Sequence, residues 1–489
     1  MFFPVLPVVR EKDRWSHRVY GTPYKVRLCM DFKNGGLNDM FADWPFRYVG
    51  LHDIANVLRP GDWLATIDIS RFYLRLPAGS RLRSLLWFQD PASYARSSHD
   101  NERLAKPTFR QLLAVAFGLK PAPAWASVVS AELARILRSH GVRVAGTYLD
   151  DLLICARSRE ALQAAIRTCE SVCAALGLDL NDKTTGPCSP QEGIKYLGLF
   201  IRTADCSIAM CEQHRLYAVD LLAACLAAKR ISLKQLESVT GVLSWISMAL
   251  VSGRPRRNTL YAVVAQMKRL QVTSVAVRGA LQRQLSWWLK TLRKAPPAAS
   301  YFWHAQPDTP LVCSDASGED GWAACVLGYH IVGAWPAKWR QSSGKGSMNM
   351  LFKELVAPVV AALLLSHCIP DTVMCCAVDN AGVAFVLNAL SCGCPWSRAL
   401  LRILADKLAA NRVGMIAGHA HRHRNTHADD LSHLLANVAW SQVVASAPRK
   451  QPARCELHFA ILDLRRREAC LATVSFAPPT SPFVIPARR

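Results

Sequence analysis

Two adjacent aspartates, Asp150 and Asp151, lie inside the otherwise apolar run of residues 147–154. Neighbouring carboxylates in hydrophobic surroundings repel each other and are costly to bury, and a bound cation removes that cost. The turn of a β-hairpin would let both acids face one metal site while the flanking strands stay buried. An ordinary Asp-Asp surface turn is the alternative, but Tyr148 and the strand residues on both sides favour a metal site.

A third acid fits the same chemistry. Residues 63–68 form a strand of the buried type that ends in Asp68. Phosphoryl transfer with two metal ions needs carboxylates from different strands, because the ions are bridged at a separation of about 3.5–4 Å. Asp68, Asp150 and Asp151 therefore predict a site for metal-assisted phosphoryl transfer.

A second set of four acids follows later in the chain. Asp315 ends a predicted strand, Glu354 lies on a predicted helix, Asp379 follows a strand, and Asp429 lies near the start of the last predicted helix. Any one of these acids is weak evidence, since a surface glutamate is usually only solvated. Four acids in this order and on these elements indicate a second metal site.

The elements that must position the first set alternate strands with helices, as in an α/β domain. We predict strands at 26–31, 63–68, 144–148, 152–155 and 196–201 and helices at 122–139 and 160–176. Gly177 follows the second helix and is a plausible cap. After residue 300 the pattern repeats with strands at 311–315, 321–327, 330–335, 373–378 and 414–417 and helices at 351–365, 381–390, 397–410 and from about 427.

The segment between these two patterns is helical and basic. Residues 229–294 hold 13 Lys and Arg against the single acid Glu237, and Trp245, Tyr261, Trp287 and Trp288 are interleaved with them. Basic residues with aromatics suit a surface that follows a phosphate backbone, whereas a solvated helix face rarely lacks acids so completely. The formal net charge of +23 also favours a polyanionic partner, with nucleic acid the first candidate.

The composition excludes other classes of protein. Hydrophobic residues make up 51% of the 489 residues, which is too many for a disordered chain. The 17 cysteines show no paired zinc spacing and predict reduced thiols in an intracellular protein, in the cytoplasm, the nucleus or both. No apolar stretch is long enough to predict a membrane span. We divide the chain into 1–205, 206–300 with a linker at 295–300, 301–436, and a basic Pro- and Arg-rich extension at 437–489 to which we assign no fold.

The first set of motifs resembles a reverse transcriptase. The residues 148–151 (Tyr-Leu-Asp-Asp) match the catalytic box of that family, and Asp68 matches its first palm aspartate. The resemblance implies that Arg27, in 27–32, grips the incoming triphosphate. It also implies that Tyr73 excludes a 2′-hydroxyl and so selects deoxynucleotides.

Further positions continue the resemblance. Residues 117–123 resemble the loop on the nascent base pair, with Phe117 where the family often has Gln, followed by Gly118. Lys183 resembles a lysine near the leaving group, and residues 196–198 resemble the primer grip. Arg71 departs from the pattern, since many relatives have an acid there. The fingers begin almost at Met1, and we expect that an N-terminal piece is missing.

The second set resembles ribonuclease H, in which an Asp-Glu-Asp-Asp set holds two divalent ions at a scissile phosphate. The pattern Asn-x-x-Ala-Asp-x-Leu-Ser selects Asp429 over Asp430, and His419 matches a histidine ten residues earlier. His419, His421, His423 and His427 lack cysteines at zinc-ligand spacing, so we favour phosphate contact by this loop.

The resemblance implies α/β and α+β domains: a right-hand polymerase with fingers, palm and helical connection, followed by a mixed-sheet domain like ribonuclease H. It implies Mg²⁺, with Mn²⁺ as a substitute, on the backbone beside Asp68 and on the seven acids Asp68, Asp150, Asp151, Asp315, Glu354, Asp379 and Asp429. The implied partners are an RNA template, a DNA primer, the RNA–DNA hybrid and dNTPs, with no membrane.

The details look most like DIRS-type, tyrosine-recombinase retrotransposons. A decayed or domesticated copy that binds nucleic acid without catalysis is the alternative, and the presence of all seven acids argues against it. A retron- or intron-type polymerase, which has no ribonuclease domain, is a further alternative that the second acid set counts against.

Overall fold

A computed structural model of the chain describes residues 2–3, 5–9, 11–21, 26–48, 50–89, 108–182, 184–294, 299–301, 311–326, 329–335, 339, 349–421, 425, 428–429, 432, 455–463 and 468–476. The chain divides into two compact units, Met1–Cys206 and Ser207–Arg489. None of the described helices has the length and apolar character needed to cross a membrane.

The first unit combines short strands with helices. Its strands are β1 (Phe2–Phe3), β2 (Val5–Val9), β3 (Val26–Met30), β4 (Trp63–Asp68), β5 (Trp87–Gln89), β6 (Phe109–Gln111), β7 (Arg143–Tyr148), β8 (Asp151–Ala156), β9 (Thr185–Cys188), β10 (Ile194–Tyr196) and β11 (Leu199–Arg202). Its described helices are α1 (Glu11–Tyr20), α2 (Leu51–Val57), α3 (Phe72–Arg75), α4 (Ser80–Arg83), α5 (Ala122–Ser139) and α6 (Arg159–Ala175), with a 3₁₀ helix at Leu37–Met40.

The central sheet of this unit is antiparallel, with the strand order β7-β8-β4-β9. Leu64, Ala65 and Ile67 of strand β4 are buried, so both faces of the strand carry buried apolar side chains, and α6 packs against β4 and β8. Helix α6 begins where the Ser158 hydroxyl accepts a hydrogen bond from the Ala161 amide at 3.2 Å. It ends before Gly177, whose φ of +69° is a left-handed conformation that favours glycine.

One predicted strand of the first unit is wrong. Residues 196–201 form the end of β10, a turn and most of β11, which pair as an antiparallel hairpin with Tyr196 opposite Leu199. The two turn residues, Leu197 and Gly198, both have positive φ, of +50° and +79°. This is the geometry of a tight hairpin turn, and the apolar run hid it because Leu rarely adopts that conformation.

The second unit contains a helical segment and a large mixed sheet. Its strands are β12 (Ser207–Met210), β13 (Arg230–Ser232), β14 (Ser274–Ala276), β15 (Ala299–Tyr301), β16 (Leu311–Ala316), β17 (Gly321–Val326), β18 (Tyr329–Ala334), β19 (Val373–Val378), β20 (Gly414–His419), β21 (Cys455–Asp463) and β22 (Glu468–Phe476). Its described helices are α7 (Glu212–Ala227), α8 (Leu233–Ile246), α9 (Arg254–Arg269), α10 (Gly279–Leu292), α11 (Met350–Cys368), α12 (Ala381–Ala389) and α13 (Pro395–Asn411), with a 3₁₀ helix at Val251–Gly253.

The mixed sheet has the strand order β20-β19-β16-β17-β18-β21-β22. Strands β16, β19 and β20 run parallel, and the other neighbours pair antiparallel. Helix α11 contacts β16, β17 and α13 and is buried on nearly all sides, which fits its almost wholly apolar sequence. Helices α7–α10 form a separate hydrophobic core around Leu236, Leu243, Leu285 and Trp288.

The structure differs from the sequence expectation at two places in this unit. The region 437–489, to which we assigned no fold, supplies β21 and β22, and β21 continues the sheet beside β18. In the predicted linker, residues 295–298 lie outside the described residues, while 299–300 belong to β15, which pairs with β12. The final helix is described only at 428–429 and 432, and His427 lies outside the described residues.

Candidate active sites

The first carboxylate set converges on the end of the four-stranded sheet. Strand β4 pairs with β8 so that Asp68 lies directly opposite Asp151. Strands β7 and β8 form a hairpin closed at Tyr148 and Asp151, which places Asp150 in the turn. Like charges directly opposite each other destabilise a sheet. A cation bound between Asp68 and Asp151 would remove this repulsion.

Backbone hydrogen bonds hold these acids in place. The Ile69 amide donates to the Asp150 carbonyl at 3.0 Å, and the Asn181 amide donates to the Asp68 carbonyl at 2.8 Å. The turn residue Leu149 has a φ of +56°, and its carbonyl lies 2.5 Å from the Ser130 hydroxyl on α5. The bonds from Ile69 and Ser130 therefore fix the turn that carries Asp150, and the bond from Asn181 fixes Asp68.

Tyrosines surround the carboxylates. Tyr196 is buried, and its phenol donates a hydrogen bond to the Asp151 carbonyl at 3.1 Å. Burial, together with the charges of the nearby Tyr48, Asp150 and Tyr148, raises the pKa of Tyr73 to about 12. Tyr73 is only 8% exposed and its ring centroid lies 4.7 Å from that of Phe117. Tyr73 therefore stays protonated at physiological pH and presents a fixed aromatic face beside Asp150.

Gly118 stands where two segments approach closely. Its φ is +96°, and a Cβ atom there would lie 2.8 Å from the Met30 carbonyl oxygen at the end of β3. Asn38 bridges the same loop, with its amide donating to the Gly118 carbonyl at 3.0 Å and its side-chain oxygen accepting from the Lys120 amide at 2.8 Å. Only glycine fits this contact without a shift of the backbone.

Two predicted substrate residues cannot be placed in the same way. Arg27 belongs to β3, but its side chain lies outside the described residues. Lys183 also lies outside them. The segment before Lys183 runs beside β4, because Ile69 and Leu180 form an antiparallel bridge and the Ser70 amide donates to the Asp179 carbonyl at 2.8 Å.

The second carboxylate set collects where the neighbouring strands β16 and β19 of the mixed sheet end. Asp315 lies on β16, Asp379 directly follows β19, and these two strands are parallel neighbours. The Ser432 hydroxyl lies 2.7 Å from an Asp315 carboxylate oxygen and 2.9 Å from the Asp429 carbonyl oxygen. The His419 ring nitrogen Nε2 lies 3.0 Å from the Asp379 carbonyl oxygen, and the His419 side chain is exposed.

Glu354 on α11 completes this set. Its pKa is raised from 4.5 to about 7, mainly by burial and also by the charges of Asp379 and Asp315, while a hydrogen bond with Asn380 opposes the rise. Its Oε2 atom is buried and has no hydrogen-bond partner among the described residues. A buried carboxylate oxygen next to two other acids is costly unless it is protonated or binds a cation.

The two sets provide only oxygen ligands, which suits Mg²⁺ or another hard cation. Within the described part of the chain, no three side chains of His, Cys, Asp or Glu stand close enough to form a ready-made metal site. The inference that these residues suit a hard cation therefore rests on three observations. These are the chemistry of the donors, the Glu354 oxygen without a described partner, and the opposed pair Asp68 and Asp151.

Comparison with known proteins addresses the first unit. Residues 13–201 match the family model described as reverse transcriptase (RNA-dependent DNA polymerase). The similarity to reverse transcriptases thus covers residues 13–201. This match confirms the coarse part of the resemblance on the segment that carries Asp68, Asp150 and Asp151.

Two solved structures are similar to most of the chain at low sequence identity. One is a foamy viral protease-reverse transcriptase dRH in complex with double-stranded DNA, at 13% identity and a TM-score of 0.48, covering 86% of this chain and 66% of that chain. The other is a foamy viral protease-reverse transcriptase in complex with an RNA/DNA hybrid, at 12% identity and a TM-score of 0.47, covering 98% of this chain and 60% of that chain. The chain thus spans less than two thirds of either one. No curated protein matches the chain.

Sequence reasoning missed three residues that lie beside these acids or at the far end of the sheet that carries them. In the first unit, Tyr48 packs against Tyr148, with ring centroids 4.6 Å apart. Asp62 is fully buried between Arg143 and Arg157 and supports the base of the central sheet. In the second unit, Lys353 is 3% exposed and its Nζ donates to the Gly318 carbonyl. The only sequence signals were an aromatic alternation at 44–48 and a lysine beside Glu354.

Proposed function

We propose that the chain is an RNA-directed DNA polymerase with an accompanying ribonuclease H activity that cleaves RNA in the hybrid. The observation that carries the proposal is the register that sets Asp68 opposite Asp151, with Asp150 in the adjoining turn of a reverse transcriptase domain. The DIRS-type relationship is part of this proposal and rests on sequence details alone.

For polymerisation, Asp68, Asp150 and Asp151 would hold Mg²⁺ or Mn²⁺. When bound, the cations lower the pKa of the primer 3′-hydroxyl and stabilise the triphosphate charge. Tyr73 lies beside Asp150 with its ring fixed by Phe117, and it would contact the sugar of the incoming dNTP. Arg27 and Lys183 would neutralise the triphosphate, and Gly118 would bring the backbone close to the new base pair.

For hybrid cleavage, Asp315, Glu354, Asp379 and Asp429 would hold the divalent cations. The raised pKa of Glu354 means that this carboxyl releases a proton near neutral pH when the site is empty. His419 is exposed next to the Asp379 carbonyl and would reach the leaving phosphate. The RNA template and DNA primer would be held by the basic segment 229–294.

The test measures both activities in two variants. Asp150→Asn should abolish Mg²⁺-dependent primer extension on an RNA template and leave cleavage of an RNA–DNA hybrid intact. Asp379→Asn should do the reverse, because its carboxylate lies in the second unit. Glu170→Gln, an exposed glutamate on α6, is the matched control and should retain both activities.

Two outcomes would contradict the proposal. Loss of both activities from either single change in a folded protein would exclude two separate sites. Failure of the wild type to extend a primer, in a folded protein that still binds the hybrid, would favour a nucleic-acid-binding protein without catalysis.

A further inference from the structure

Tyr48 contacts the catalytic hairpin from outside any motif. It lies in a stretch without regular secondary structure, before α2, and its ring centroid is 4.6 Å from that of Tyr148 with an angle of 31° between the planes. Tyr148 is the last residue of β7 and pairs with Asp151. The Tyr48 ring therefore supports the side chain that closes the turn carrying Asp150.

Local anchors hold Tyr48 in this position. The neighbouring Arg47 binds both carboxylate oxygens of Asp53 at 2.9 and 2.7 Å, which ties the stretch to the first turn of α2. Helix α2 packs on β7 so closely that a Cβ on Gly146 would lie 2.8 Å from an Ile54 side-chain atom. Because α2 packs on β7, the stretch before α2, which contains Tyr48, is held beside the end of the same strand.

The phenol of Tyr48 also lies close enough to Tyr73 to affect its ionisation. Burial raises the pKa of Tyr48, and so do the charge of Tyr148 and a hydrogen bond between the two phenols. Tyr48 is in turn the first neighbour, after burial, that raises the pKa of Tyr73. Tyr73 is held from its other side by the ring of Phe117. Tyr48, Tyr73 and Tyr148 thus form one cluster of phenols next to Asp150.

We propose that Tyr48 is a positioning residue for nucleotide selection, which holds Tyr148 and Tyr73 so that the Tyr73 ring stays pressed against the sugar of the incoming nucleotide. The inference rests on the proposed polymerase function, with Tyr73 as the residue that excludes a 2′-hydroxyl. Without Tyr48, the Tyr73 side chain gains room to move away from the sugar, and a ribonucleotide then fits better.

The test is single-nucleotide incorporation on an RNA template by the full chain, with a dNTP and with the matching rNTP. The readout is the ratio of kcat/KM for the dNTP to that for the rNTP. We expect Tyr48→Ala to lower this ratio about tenfold, and Tyr48→Phe, which keeps the ring and loses the hydroxyl, to lower it about threefold. A residue with only a structural role would lower both kcat/KM values by the same factor.

A double-mutant cycle separates the route through Tyr73 from other effects. In a Tyr73→Ala background, which already lacks the ring, adding Tyr48→Phe should leave the ratio unchanged. A ratio within twofold of wild type in Tyr48→Phe overturns the inference, whether or not Tyr48→Ala folds. If the wild type extends primers while the ratio in Tyr48→Phe is unchanged, only the inference fails. A folded wild type that incorporates no nucleotide overturns the proposed function and this inference with it.

Discussion

Glu354 shows how one residue can report the state of a whole site. Its carboxyl is buried beside Asp379 and Asp315, and its pKa is raised from 4.5 to about 7. Below pH 4.5 the carboxyl is neutral in both the folded and the unfolded chain. Between pH 4.5 and about 7 the folded chain keeps a proton that the unfolded chain has released, and above that range the folded chain bears the full cost of a buried charge.

The upward direction of the Glu354 pKa shift gives a prediction for stability. In the absence of divalent cations, Glu354→Gln should raise the free energy of unfolding by roughly 1–2 kcal/mol near pH 8 and should have little effect near pH 4. This magnitude is smaller than the full pKa shift implies, because the Glu354 side chain is partly exposed. Denaturant unfolding at the two pH values, followed by tryptophan fluorescence, measures the difference. The exposed Glu319→Gln is the control and should show no such dependence. An equal effect at both pH values would show that the Glu354 carboxyl does not titrate in this range.

At the scale of elements, a bidentate ion pair is among the contacts that tie the helical segment to the mixed-sheet part of the second unit. The guanidinium of Arg256 on α9 binds Asp406 on α13 at 2.9 and 2.6 Å and lies 3.9 Å from the ring centroid of Trp287 on α10. Beside it, Arg402 on α13 donates to the Thr259 hydroxyl at 2.9 Å. Three helices therefore meet at a nearly buried guanidinium.

Removal of this guanidinium should loosen the contact between the helices. Arg256→Ala should lower the free energy of unfolding of the second unit by about 2–3 kcal/mol, at the lower end for a buried pair because Asp406 is 48% exposed. Lys268→Ala removes a solvent-exposed pair with Glu237 and should cost about 0–1 kcal/mol. Thermal unfolding of both variants decides the question, and equal effects would mean that the Arg256 pair contributes no more than a surface ion pair.

At the scale of the whole molecule, charge governs the expected affinity for nucleic acid. Of the 13 Lys and Arg in residues 229–294, ten are exposed, and most of them lie on or beside helices α8, α9 and α10. Each phosphate contact contributes about 0.9 to the slope of log K against log salt on a duplex. A surface with several such contacts therefore binds strongly at low salt and weakly at high salt.

Two exposed residues on one face of α10 test this surface. Arg283→Gln with Lys290→Gln should weaken binding of an RNA–DNA hybrid at low salt and reduce the salt slope by about 1–2. The matched control is Arg159→Gln with Arg167→Gln, which removes two exposed charges from α6 and should leave the slope unchanged. Fluorescence anisotropy over a salt series measures both slopes, and an equal loss in the two double variants would show that only net charge matters.

The sequence by itself determined the elements whose signals are local. Strand β4, helix α5 and strand β19 have the predicted bounds, because a continuous apolar run or a helical period needs no distant partner to be recognised. It also selected seven acids as candidate metal ligands, and their role stays a prediction. It failed at 196–201, where an apolar run concealed a turn with two positive φ values, and at 437–489, where β21 exists only as a neighbour of β18.

Only the tertiary structure decided which side chains meet. Asp68 and Asp151 are opposite each other because β4 and β8 pair in one register, and a slip of one residue would turn the carboxylates to different faces. Tyr48 became visible only through its contact with Tyr148, 100 residues further along the chain. The raised pKa of Glu354 has the same origin, because burial and neighbouring charges are properties of the folded chain and leave no trace in the local sequence.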